Sequence, residues 1–114
     1  MPANDKPVLI YGTFATPEEA RRIGGELVDR HLAACVNILA PITSLYVWQG
    51  QREEATETPM LIKTRGALAQ AVIAHVRNRH SYDNPALLSL AVEGGSEDFL
   101  AWIAAQTAAG TQGT

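Results

Sequence analysis

The stretch "ITSLYVWQGQREEATETPMLIKTR", residues 42–65, constrains this chain most. Successive side chains of an extended strand point to opposite faces. Before Gly50, that alternation places Thr43, Leu45 and Val47 on one face and Ser44, Tyr46 and Trp48 on the other. "QGQR" turns the chain around Gly50. On the return, Met60 and Ile62 share one face, while Leu61 and Lys63 share the opposite one. The result is a single hairpin well beyond the usual strand length of about 5–6 residues. An isolated hairpin is marginal in water, so the rest of the chain must supply strands and helices to cover it.

Those segments come in a definite order. "PVLIYGTF" (7–14) is short, apolar and bounded by turn residues, the pattern of a central strand. "TPEEA" then opens a helix: Thr16 can N-cap it, Pro17 suits its first position and Glu19 can close a capping box. Ala20, Ile23, Leu27 and Val28 recur on one face, so the helix runs to about His31. Gly24 and Gly25 inside it each cost up to about 1 kcal/mol against alanine unless close packing offsets the loss. "AACVNIL" (33–39) is a further strand, and Pro41 beyond it predicts a bulge or an edge position. Residues 67 to about 79 form a second helix with Leu68, Val72, Ile73 and Val76 inward. "ALLSLAVE" (86–93) is another strand. Ser96 N-caps a third helix, with Glu97 and Asp98 in the first turn, where the macrodipole favours negative charge. Phe99, Leu100, Trp102 and Ile103 are expected to dock it.

The order is β-α-β-β-α-β with an additional C-terminal helix. Two split βαβ units, each crossing right-handed, predict an α+β ferredoxin-like sandwich: a four-stranded antiparallel sheet with helices on one face and a long hairpin between its second and third strands. A chain of 114 residues is most economically one domain spanning 1–114, with 1–6 and 108–114 expected to fray.

Composition narrows the function classes. Hydrophobic residues at 46% and charged residues at 18% fit a globular chain. The net charge of −3, without a basic tract, argues against nucleic acid as the main partner. The single cysteine, Cys35, excludes an internal disulfide framework and a Cys-only metal site. "MPANDKP" lacks an apolar segment of secretory type, and no apolar run approaches the roughly 20 residues of a membrane span. The expected compartment is the cytoplasm.

Few residues carry a chemical signal. Cys35, between Ala34 and Val36, reads as a small core hydrophobe. None of the three histidines lies at i, i+4 from another, so no helix face presents a two-histidine site. His31 sits near a helix C-terminus, and His75 reads as a solvated or half-buried helix residue. His80 stands in "RNRHSYDNP" (77–85) with Tyr82 and Asp83 close by: either the polar end of a helix or part of a site completed from elsewhere. Tyr46 and Trp48 form an aromatic face that marks an association or ligand surface unless the third helix covers it. Lys63, among apolar residues, is either a site group or a lysine that guards a sheet edge. Gly94-Gly95 before the third helix makes a turn, and no phosphate loop, nucleophile elbow or zincin motif occurs.

Taken jointly, "HLAACVNILAPITSLYVWQGQREE" (31–54), "LIKTR" (61–65), "HSYDNP" (80–85) and "SEDFLAWI" (96–103) resemble the CutA divalent-cation tolerance family over nearly the whole chain. The resemblance implies a ferredoxin-like homotrimer in which hairpins of neighbouring subunits pair and clefts lie between subunits. It also implies tolerance of copper and other divalent metals, without a defined reaction. The residues that match the cleft pattern are Tyr46, Trp48, Glu53, Glu54, Lys63, His80 and Tyr82, with Asp83 beside them. The chain departs from the pattern at several points. Ser81 stands where the family usually has proline, Asp83 where it has glutamate, Ala86 where it has a second glutamate and Ala91 where a proline is common. Arg79 replaces a second histidine, and "GTFATP" (12–17) lacks the cysteine that some members carry there.

The leading expectation is a trimeric metal-tolerance or signalling protein. It would line its cleft with those residues and bind copper or another divalent metal weakly through His80, without an organic cofactor. Its partners would be copies of itself, with neither nucleic acid nor membrane involved. A PII-like trimer that senses a nucleotide or metabolite is one alternative. An enzyme using the inter-subunit cleft, with Lys63, His80 and Tyr82 handling protons, is the other.

Overall fold

In the computed structural model, which describes residues 5–110, eight elements follow one another. They are β1 (Pro7–Phe14), α1 (Pro17–Asp29), β2 (Cys35–Ile38), β3 (Ile42–Trp48), β4 (Gln51–Arg65), α2 (Gly66–Arg79), β5 (Leu87–Ala91) and α3 (Glu97–Gln106). The sheet order is β2-β4-β1-β5, and β3 pairs with the outer part of β4. All pairings are antiparallel, as the ferredoxin-like fold requires.

β2 and β3 behave as one strand broken at Pro41. Ile38 pairs with Met60 and Ile42 with Glu57, so four steps on one strand oppose three on the other. The extra residue is a bulge. It also reverses which alternate residues face which side. Cys35 and Asn37 pair with Lys63 and Leu61, whereas Tyr46 and Trp48 pair with Glu53 and Gln51. Odd-numbered residues of β2 and even-numbered residues of β3 therefore share one sheet face. At the tip, Gln49 and Gly50 both take positive φ, 51° and 80°, the two-residue turn whose twist suits a hairpin.

The other face carries the core. Ile10, Phe14, Met60 and Ile62 are fully buried beneath Ala20, Ile23 and Leu27 of α1 and Leu68, Val72 and Val76 of α2. Val28, expected in this stripe, lies exposed, and Gly24 takes the inward place instead. A Cβ on Gly24 would lie 2.9 Å from both Met60 Sδ and Val36 Cγ2, so the close approach of helix and sheet requires glycine there. Gly25 meets nothing within 4 Å. α1 ends with His31 in the left-handed region at φ 59°. The His31 amide donates to the Val28 carbonyl and the Leu32 amide to that of Leu27, a Schellman closure. Glu26 then joins the two helices, accepting from Arg79 at 2.8 Å and from His75 at 2.9 Å. Arg79 thus serves as a clamp between the two helices.

α3 lies across the opposite sheet face at the Arg65 end. Arg65 donates to Asp5 at 2.9 Å and to the Thr107 hydroxyl and carbonyl at 3.2 Å each. Lys6 accepts from the Gly66 amide, and Gly110 is buried and donates to Thr107, so the described parts of both terminal segments are tied to the body. Residues 1–4 and 111–114, where the rest of the expected fraying falls, lie outside the described residues. Ile103 docks the helix, but Phe99 and Trp102 do not: they stack on each other at 5.5 Å and stay exposed. The remainder of this face is open, with Leu88 61% and Leu90 48% exposed on β5.

The two helix glycines give a paired prediction. Gly25→Ala should stabilise the protein by about 0.5–1 kcal/mol through helix propensity. Gly24→Ala should lower stability, because overpacking at the Met60–Val36 contact, typically about 1–3 kcal/mol, offsets or exceeds the same gain. Chemical denaturation of both variants checks the opposite signs.

Candidate functional site

The end of α2 turns into a loop that lies against the end of β1. His80, the C-cap residue, has extended backbone angles, φ −77° and ψ 145°, which release the chain from the helix. Its ring stacks on Phe14 at 4.9 Å and meets Tyr82 at 4.7 Å. Nε2 lies 2.8 Å from the Thr13 carbonyl, and a carbonyl can only accept, so Nε2 carries the proton. Nδ1 is then the acceptor for the Tyr82 amide at 3.0 Å. The two partners assign the neutral tautomer and occupy both ring nitrogens.

A residue that sequence reasoning placed only in a helix cap completes this arrangement. Glu19 is 9% exposed. Its amide donates to Thr16 Oγ1 at 3.1 Å, as the capping box predicts. Its carboxylate accepts from the Ala15 amide at 3.2 Å and from the Ser81 amide at 2.9 Å. The link to Ser81 spans 62 positions and has no local sequence signal. Burial works to raise the Glu19 carboxyl, but the hydrogen bonds from Ser81 and Ala15, with His80 nearby, outweigh it and hold the group below its ordinary value.

Tyr82 stands over the base of the hairpin. Burial first, then the Glu57 carboxylate, with Glu19 and Tyr46 contributing, pushes its phenol up to about 12. At neutral pH it is a hydrogen-bond donor and not a base. Glu57 was not among the expected site residues; only its place on the Tyr46 face of β4 could have pointed to it.

The expected cleft residues fall into three groups along β4. Tyr46 and Trp48, 44% and 54% exposed, sit opposite Glu53 and Gln51 near the tip, and α3 does not cover them. Glu54 points to the other face, opposite Leu45. His80 and Tyr82 flank the hairpin base near Thr13, which pairs with Pro59, and Asp83 is exposed beside them. Lys63 pairs with Leu9 and Cys35, with its Nζ 5.3 Å from the centre of the Phe99 ring. At about 3.4 Å per residue, four residues of strand separate Lys63 from Pro59 by roughly 14 Å. The chain therefore brings His80, Tyr82 and Glu57 together but leaves Lys63 and the tip residues apart.

The comparisons with known proteins agree on the family. The family model described as "CutA1 divalent ion tolerance protein" matches residues 8–106. The chain belongs to the CutA1 family. It is 40% identical over 104 residues to the divalent-cation tolerance protein CutA of Pectobacterium atrosepticum, covering 88% of this chain and 94% of that one. It is 44% identical over 95 residues to the CutA of Archaeoglobus fulgidus, covering 83% and 92%. It spans only 54% of the chloroplastic CutA 1 of Oryza sativa subsp. japonica. Among solved structures, CutA1 from Oryza sativa superposes with a TM-score of 0.88 at 34% identity, covering 93% of this chain and 97% of that chain. The Archaeoglobus fulgidus structure, described as a periplasmic divalent cation tolerance protein, gives 0.86 at 40%, covering 89% of this chain and 98% of that one. These descriptions span more than one compartment. No helix among the described residues is long and apolar enough to cross a membrane.

A divalent metal finds no ready ligand set among the described residues. Among the described residues, no group of three or more His, Cys, Asp or Glu side chains converges as metal ligands. Such a set is the usual minimum for a stable site. His80 could reach a metal only by giving up one of its two hydrogen bonds.

Glu19 gives a pH dependence. Its carboxyl is depressed in the folded state, so the stability it adds is fully present above the ordinary value of 4.5 and is lost as pH falls below it through the folded value. Glu19→Gln should therefore be less stable than wild type at pH 7, with the gap narrowing towards pH 3. Urea melts at both pH values check it; a gap that stays constant would show that the charge of Glu19 is irrelevant.

Proposed function

We propose that this chain works as a homotrimeric divalent-cation tolerance protein of the CutA type, with its candidate sites in clefts between subunits. The observation that carries the reading is the open sheet face. Leu88 and Leu90 lie exposed on β5, Tyr46 and Trp48 lie exposed on the same face farther out, and β2, β3 and β5 present edges. Apolar patches and strand edges of this kind mark association surfaces. A closed threefold assembly covers both without leaving an open-ended template. Closure also supplies what one subunit lacks, because a neighbour's hairpin tip can bring Tyr46, Trp48 and Glu53 towards another subunit's His80, Tyr82 and Asp83. The single free thiol, Cys35, suits a reducing compartment, and we place the protein in the cytoplasm.

Light scattering on a sizing column should give three times the chain mass of 12.3 kDa. A stable monomer at micromolar concentration would overturn the assembly. Trp48→Arg should lower the mass average at dilution while leaving the far-ultraviolet spectrum of the subunit intact.

Within this reading, metal binding is weak and His80 is its ligand, since each ring nitrogen must first leave a protein partner. Calorimetric titration with copper should show a dissociation constant weaker than micromolar, and His80→Ala should abolish the heat. Identical isotherms for the two proteins would remove His80 from the metal site.

A further inference from the structure

We propose that the Glu19–Ser81 hydrogen bond is the positioning device of the candidate site in this chain, holding the loop by a polar contact on the path that a proline at position 81 would enforce by covalent stiffness. Three observations carry the proposal.

First, residue 81 is a serine and not a proline. Proline has no amide hydrogen, whereas serine supplies one. That amide donates to Glu19 Oε2 at 2.9 Å. Second, the backbone of His80, φ −77° and ψ 145°, lies in the extended region to which a residue before proline is confined. The loop keeps a proline-compatible path although nothing covalent enforces it. Third, Glu19 is placed to enforce it instead. Its carboxylate is buried, and its other oxygen accepts from the Ala15 amide at 3.2 Å, just past the strand residue Thr13 whose carbonyl holds His80. The Arg22 guanidinium lies 3.9 Å away on the same helix face and offers only a weak competing contact.

Glu19 and His80 thus fasten residues 80–82 to the end of β1 at two points. The Ala15 and Ser81 amides each donate to a different oxygen of Glu19, so the side chain accepts at both, as an ionised carboxylate does. With Ser81 free, the His80 ring loses half of its fixed frame, and Tyr82 loses its set place near Glu57 and Tyr46. Glu19 is a positioning residue: it touches no ligand and acts through His80 and Tyr82. The inference rests on reading the His80–Asp83 loop as part of the site. Its readouts need neither metal nor trimer mass, so its failure is distinguishable from the failure of that reading.

The test compares Glu19→Ala, Thr16→Ala and Glu19→Ala/Ser81→Pro with wild type, without metal. Amide hydrogen exchange is read at Tyr82 and at Ile10 and Ile62 in the core. The His80 tautomer is read by long-range nitrogen-15 NMR. Thr16→Ala removes the helix cap alone and should leave Tyr82 protection and the single His80 tautomer as in wild type. Glu19→Ala should speed Tyr82 exchange about ten- to hundredfold relative to the core amides, the size of one lost hydrogen bond to a charged group. It should also mix the His80 tautomers. Adding Ser81→Pro should restore both signals, although the carboxylate is still missing. Unchanged Tyr82 protection in Glu19→Ala would overturn the proposal, as would a double variant as loose as the single one. A Thr16→Ala variant as loose as Glu19→Ala would assign the effect to helix capping and overturn it equally.

Discussion

The antiparallel pairing of β4 is the interaction on which the other elements depend. Its inner half lies between β1 and β2, and its outer half pairs with β3 alone. Met60, Ile62 and Thr64 on one side form the floor under α1 and α2. On the other side, Arg65 anchors the end of α3 through Thr107 and ties Asp5 of the N-terminal segment to the sheet. A slip of one residue in the β1–β4 register would exchange these two sets of side chains and remove core and anchor together. This explains why Arg65, at the inner end of the strand, carries three side-chain hydrogen bonds while the outer end carries exposed residues.

The site sits where the strand passes from one regime to the other. Thr58 and Pro59 are buried beside the end of β1, and Glu57 is the first residue paired with β3. At this junction the α2 exit loop meets the hairpin base, and polar groups are held by packed neighbours on both sides. His80 is fixed from above by Phe14 and from its edges by Thr13 and Tyr82. Glu19 closes the same corner from the start of α1. Each group at this corner is stacked or hydrogen-bonded, and among the described residues no three metal-ligating side chains converge there.

Much of this was legible in the sequence because it depends on local rules. Alternation placed Tyr46 and Trp48 together, Pro41 marked the bulge, Thr16 and Glu19 marked the helix start, and the joint motifs identified the family. The misreadings share one physical cause. Val28, Phe99 and Trp102 are large and apolar, and periodicity assigns such residues to a core without stating which surface receives them. The bond between Glu19 and Ser81 was invisible for a different reason. Its local role in the cap already accounted for the residue, and a contact across 62 positions leaves no periodic trace. His80 could be recognised as special, but the engagement of both its nitrogens depends on Thr13, a strand residue with no motif of its own.

The bulge before Pro41 divides the hairpin into two segments with different tolerance for change in length. In the outer segment, inserting or deleting two residues in each strand preserves every facing relation, because the side-chain repeat is two. A change of one residue per strand would turn the Tyr46 face towards the helices. A single-residue change at the bulge alters only the β2–β3 side, because β4 runs unbroken from Gln51 to Arg65 and fixes which face the outer arm presents. Natural variation in hairpin length should therefore come in even steps, and odd steps should be tolerated only at the bulge.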